Sequence, residues 1–135
     1  MLLGEHIHSL DGKGRIILPA RFREELAAAY LTREIDGCLG MWAPADFEMR
    51  AREMKEKARG DAQDRDVARV FFAGAGEANP DRQGRVAIPQ HLRTFAHLDG
   101  VVAVIGAFDH LEIWDAETWR GRSRSGEERL AGADG

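Results

Sequence analysis

Cysteine occurs once, at Cys38, so the chain cannot close an internal disulfide, in keeping with a reducing compartment. A lone thiol of this kind is expected to sit in the core as a small hydrophobe. No apolar run approaches the roughly 18 to 20 residues that a bilayer span requires, and the opening segment lacks the basic-then-apolar order of a secretory leader. A cytoplasmic protein with no membrane partner is expected. An excess of positive charge is also missing: 19 Lys and Arg stand against 23 Asp and Glu, a formal net charge of -4. Overall charge therefore argues against a polyanionic partner, and local distribution has to decide.

Catalytic constellations are absent as well. The chain has no serine-nucleophile motif, no cysteine pair and no phosphate loop, because no Gly-Lys-Ser/Thr follows the glycines at 12 and 14. His6 and His8 would share one face of a strand, but no further metal ligands recur at matching spacing, and His91, His97 and His110 form no pattern. No enzyme activity, no metal and no cofactor are expected.

What the chain does contain is a repeat. Asp11-Gly-Lys-Gly-Arg15-Ile-Ile-Leu-Pro19-Ala-Arg-Phe-Arg23 matches Asp81-Arg-Gln-Gly-Arg85-Val-Ala-Ile-Pro89-Gln-His-Leu-Arg93 at an offset of 70 residues. Further on, Cys38-Leu-Gly-Met-Trp42 aligns with His110-Leu-Glu-Ile-Trp114 at an offset of 72, and Phe47 with Trp119. Each copy is about 45 residues, too short to sustain a core alone, so the two are expected to share one. The chain then divides into a first module (1–47), a helical connector (48–73), a second module (74–120) and a tail (121–135) that is rich in Gly, Ser, Arg and Glu and expected to be flexible.

Within the first module, short strands are predicted at His6–Leu10 and Arg15–Leu18, joined as a hairpin by Asp-Gly-Lys-Gly. Pro19 is placed to open a helix whose apolar face would carry Phe22, Leu26 and Tyr30. Strands resume at Tyr30–Arg33 and Cys38–Ala43. The second module repeats this order, with a helix over Pro89–Ala96, a buried strand over Val101–Ile105 and an edge strand over Leu111–Trp114. Ala45–Arg59 and a stretch running to Phe72 should be helical, broken at Gly60-Asp61.

The candidate functional residues flank the two turns. Asp11 and Asp81 are suited to accept turn amides or pair with Arg15 and Arg85, while Gly14 and Gly84 suit positive φ; these four shape the turns. Lys13, Arg15, Arg82 and Arg85 could project from a rigid support towards phosphates and base edges. The two roles are compatible. Lys13, Arg15, Arg21 and Arg23 are close in sequence, so an acidic protein can still own a basic face. One copy offers few cations, and oligomerisation would multiply them.

These motifs resemble the MraZ family of bacterial transcriptional regulators, relatives of AbrB and SpoVT. The resemblance spans nearly all of residues 1–120 and rests on Leu3-Gly4-Glu5-His6, on the two Asp-x-x-x-Arg segments with their following Pro19 and Pro89, on Asp36-Gly37-Cys38, on Val70-Phe-Phe-Ala-Gly74 and on Ile105-Gly106 through Asp115. It implies an α+β, mainly β fold: a pseudo-twofold double-split β-barrel of two tandem swapped-hairpin modules with short helices. It implies, further, a ring-shaped homo-oligomer, associated with the nucleoid, that binds direct repeats of double-stranded DNA in the promoter of the division and cell-wall gene cluster, usually as a repressor. Carried over by motif, the DNA-facing positions are Arg15 and Arg85, with Lys13 and Arg82 beside them. Gly12 and Gly40 depart from the family pattern. A protein-binding or scaffold ring without DNA specificity is the alternative.

Overall fold

A computed structural model describes residues 1–133. The first copy contributes β1 (Leu2–Ser9), β2 (Arg15–Ile17), a single 3-10 turn (Ala20–Phe22), β3 (Tyr30–Arg33) and β4 (Leu39–Trp42). The connector forms α1 (Pro44–Lys57) and α2 (Ala62–Gly74). The second copy follows as β5 (Gly76–Glu77), β6 (Arg85–Ala87), α3 (Gln90–Phe95), β7 (Val101–Phe108) and β8 (Leu111–Asp115), and α4 (Ala116–Glu128) then leads into a last turn reaching Ala133.

The class is mixed α and β. Six strands make one antiparallel sheet in the order β1-β7-β8-β4-β3-β5, and β2 pairs antiparallel with β6 in a separate two-stranded ribbon. The sheet is open, with β1 and β5 at its edges, and does not close into a barrel. Exchanging the copies maps the strand order onto itself. Each copy lends its first strand to the other's third, β1 to β7 and β5 to β3.

That exchange creates the shared core. Ile16, Leu18 and Phe22 lie in one buried cluster with their repeat partners Val86, Ile88 and Leu92, and with Val102, Val104, Leu111 and Ile113 of the sheet. Because side chains alternate along a strand, Ala103 between two core valines faces the other side. There it joins Cys38 and Trp114 in a second cluster under Trp119 of α4. Burial pushes the Cys38 thiol pKa far up, with Glu112, Glu34 and Asp36 adding to the rise, so the side chain is an apolar filler as expected.

Several expectations are corrected. The Asp11–Arg15 turn closes, with Asp11 N donating to Arg15 O at 2.9 Å, but β1 and β2 do not continue as a hairpin. β1 finds a full-length partner in β7 over eight registered positions, whereas three-residue β2 must turn Ile16 into the core and pairs across the repeat with β6. The helix predicted from Pro19 to Tyr30 shrinks to one 3-10 turn. Ala29 N donates to Asn79 Oδ1 at 3.0 Å and Tyr30 pairs with Trp42 and Glu77, so sheet pairing overrides local helical spacing.

β8 is interior rather than an edge, lying between β7 and β4; Leu111 and Ile113 fill the main core while Trp114 fills the rear cluster, so both of its faces are covered. The tail gains regular structure through α4. Asp115 caps it by accepting from Thr118 N at 3.0 Å and Thr118 Oγ1 at 2.9 Å, Trp119 Nε1 donates to Glu5 at 2.8 Å, and Arg122 lies 5.3 Å over the Trp114 ring. Asp134 and Gly135 of that segment lie outside the described residues.

Candidate nucleic-acid interface

The ribbon sets the site. Its register opposes Ile16 to Val86, both buried, and places Arg15 opposite Ala87 and Arg85 opposite Ile17. Alternation then turns Arg15, Ile17, Arg85 and Ala87 to the outer face. Arg15 and Arg85 are diagonal neighbours across the ladder, a relation that in antiparallel sheets separates backbones by about 7 to 8 Å. The local dyad between the copies passes between them.

The two turns at the ribbon's ends are built alike. Asp11 Oδ1 accepts from Lys13 N at 2.8 Å and Arg15 N at 2.9 Å, and Oδ2 accepts from Arg15 Nε at 2.7 Å. Asp81 accepts from Gln83 N at 2.9 Å, Arg85 N at 2.9 Å and Arg85 Nε at 2.7 Å. The Arg15 amide bond is the largest influence holding the Asp11 carboxyl down at about 2, ahead of the guanidinium and the Lys13 amide; the corresponding bonds from Arg85 and Gln83 lower Asp81. Gly14 and Gly84 take φ of +73° and +80°, which glycine adopts without a Cβ penalty.

Both aspartates accept turn amides, and each arginine is tethered through Nε alone. The tether does not bury the cation: the Arg15 side chain stays 25% exposed and that of Arg85 36%. Neither Nη atom takes part in the pairing. Lys13 and Arg82 are exposed at the turn tips.

Two arginines that sequence proximity placed together are separated. Arg21 turns back to β1, donating to Leu3 O at 2.7 Å and meeting His6 Nε2 at 2.8 Å. Burial, then Arg21 and His8, lower the pKa of His6. Arg23 donates from Nε to Leu18 O at 3.0 Å and lies against Gly84 of the other copy's turn; Arg93 donates to Ile88 O at 2.9 Å and lies against Gly14. Sequence reasoning noticed that Arg23 and Arg93 recur but missed this crossing. Their identical placement after each proline was the available signal.

Each turn thus carries its own tip cation, its tethered arginine and a guanidinium from the opposite copy. The surface is the outer face of a ribbon held by backbone hydrogen bonds, and it is suited to lie against a polyanion. Among the described residues no group of three or more His, Cys, Asp or Glu could hold a metal ion.

The comparisons with known proteins agree with the duplication. The family model for the MraZ protein, which carries an antitoxin-like label, matches twice, over residues 1–70 and 71–131. The chain belongs to the MraZ family. A MraZ relative from Paenarthrobacter aurescens, named transcriptional regulator MraZ, is 49% identical over 120 residues, covering 88% of this chain and 84% of its own. The protein of the same name from Clavibacter michiganensis is 48% identical over the same shares. That of Salinispora tropica is 43% identical over 137 aligned positions, covering 97% of this chain and 93% of its own. The MraZ assignment therefore extends through both Asp-x-x-x-Arg turns and, in the last case, through α4.

Proposed function

We propose that this chain is a sequence-specific DNA-binding transcriptional regulator whose contact surface is the outer face of the β2–β6 ribbon and its two turns. The observation that carries this reading is the geometry of Arg15 and Arg85: fixed in direction by Asp11 and Asp81, yet open to solvent on one face. Pre-positioned guanidinium groups lose little freedom on meeting phosphates or guanine edges. Lys13 and Arg82 supply phosphate contacts beside them. The name shared by the relatives supports the regulatory role.

In this reading residues 1–47 and 74–120 are two modules joined by the 48–73 connector, each lending its first strand to the other. Several subunits gather in a ring, in the cytoplasm and on the nucleoid, so that ribbons on one face engage successive direct repeats ahead of the division and cell-wall genes. Occupancy excludes polymerase, which makes the protein a repressor. Linked weak contacts gain avidity, and this is how a protein of net charge -4 can hold DNA.

The test is a gel shift with the chain's own upstream DNA, varied from one repeat to several. Binding that steepens with repeat number and fails on scrambled DNA is expected. Equal affinity for one repeat and many would defeat the multivalent mechanism. Failure to bind any upstream fragment would leave the scaffold alternative, to which the family's antitoxin-like label also leans.

A further inference from the structure

A groove of about 320 Å³ opens between the α1–α2 connector, the β3 end and α3. This volume falls at the lower end of small-molecule sites, which run from about 300 to 1,000 Å³. Its wall is apolar: Ile35, Met54, Val67, Val70, Phe71 and Phe95. Ile35, Val67 and Val70 keep 66%, 40% and 46% of their surface in water, an apolar rim that burial would favour covering.

The charged residues along the groove are two of each sign, but they are not all paired with one another. Glu34 is neutralised by Arg50, which donates to it from Nε at 3.1 Å and Nη2 at 2.7 Å. Asp66 accepts from Arg69 at 2.9 Å. Arg33 has no carboxylate partner among the described residues. Its Nη1 donates to the Val70 carbonyl at 3.2 Å, the Phe95 ring lies 5.8 Å from its Cζ, and its Nε is buried with no acceptor among the described residues. Gly74 leaves the space it occupies, since a Cβ there would meet Arg33 Cζ at 3.1 Å. A cation in apolar surroundings without a counter-ion is costly, and an anion brought to it relieves that cost.

We propose that this groove binds a small amphipathic monocarboxylate, with its hydrocarbon or aromatic body on the wall and its carboxylate on Arg33. One cation without a carboxylate partner calls for one negative charge. The planar guanidinium matches a carboxylate's two oxygens. Binding here is independent of whether the ribbon holds DNA.

The full chain, labelled at its methyl groups, is titrated with octanoate and with octanol while NMR follows Ile35, Met54, Val67 and Val70. Saturable shifts confined to these methyls are expected, with octanoate favoured over octanol by about tenfold, the discrimination of one charge-assisted contact. Arg33→Gln should erase that preference while octanol still binds, and Arg33→Lys should restore part of it. Equal affinity of the wild-type chain for the two ligands overturns the proposal whatever the variants do. So does the absence of saturable shifts in the full chain, including the case in which a second copy already fills the groove.

Discussion

Arg93 lies over the backbone of Gly14, so close that a Cβ on that glycine would meet the guanidinium carbon at 2.8 Å. The dyad-related contact, Arg23 over Gly84, is tighter still. Backbone bonds cross the same boundary, Ile88 N to Gly14 O at 3.0 Å and Leu18 N to Gly84 O at 2.7 Å. The two cationic turns are thus braced by each other's copies and behave as one unit.

A methyl group at either glycine faces both a positive φ and a displaced arginine. Gly14→Ala and Gly84→Ala should each destabilise the chain by about 1 to 3 kcal/mol, read from urea unfolding. Gly12→Ala is the control, because φ there is not positive and nothing lies within 4 Å of its would-be Cβ. Equal stability of all three variants would remove the bracing role.

Asp11 makes stability depend on acid. Its carboxyl is near 2 in the folded chain against an ordinary 3.8, so its contribution is fully present above the ordinary value and is lost as pH falls through the folded one. The melting-temperature gap between wild type and Asp11→Asn should be constant near neutrality and narrow below about pH 4. A gap that stays level down to pH 2 would contradict the amide-anchoring role.

His110 works in the opposite sense. Burial disfavours its charge, but the side-chain bonds to Glu112 at 3.3 Å and Asp109 at 2.7 Å outweigh that and raise its pKa, while the ring stacks on Trp42 at 4.0 Å. A raised value means stability present below the ordinary 6.5 and lost as pH climbs through the folded value. NMR titration of the His110 ring should give a midpoint above that of free histidine, and His110→Gln should lose its disadvantage in alkali. A midpoint below 6.5 would show that burial wins.

How much of this was legible beforehand follows the range of the interactions. The repeat, the Asp–Arg turns and the buried Ile16, Leu18, Val86 and Ile88 were readable because each is encoded within a few neighbouring residues. The pairing of β2 with β6 was not, since nothing in two three-residue strands names a partner 70 positions away. The crossing of Arg23 and Arg93 depends on that pairing, and their matched placement after each proline marks them as equivalent without naming what they touch. α4 escaped notice because its composition is polar and glycine-containing, and its order comes from the Asp115 cap and the seat of Trp119 rather than from helix propensity. The groove at Arg33 joins residues of α1, α2, β3 and α3, which no local pattern brings together.

The central claim is that Arg15 and Arg85 meet the phosphates or bases of DNA from the ribbon face. The deciding measurement is the salt dependence of binding to the upstream repeats for wild type, Arg15→Ala, Arg85→Ala and the double variant, with circular dichroism and sedimentation to show that fold and assembly persist. Weaker binding is expected in each variant, with the log–log salt slope shallower by about one per phosphate contact removed. Wild-type affinity and slope in the folded double variant would contradict the account.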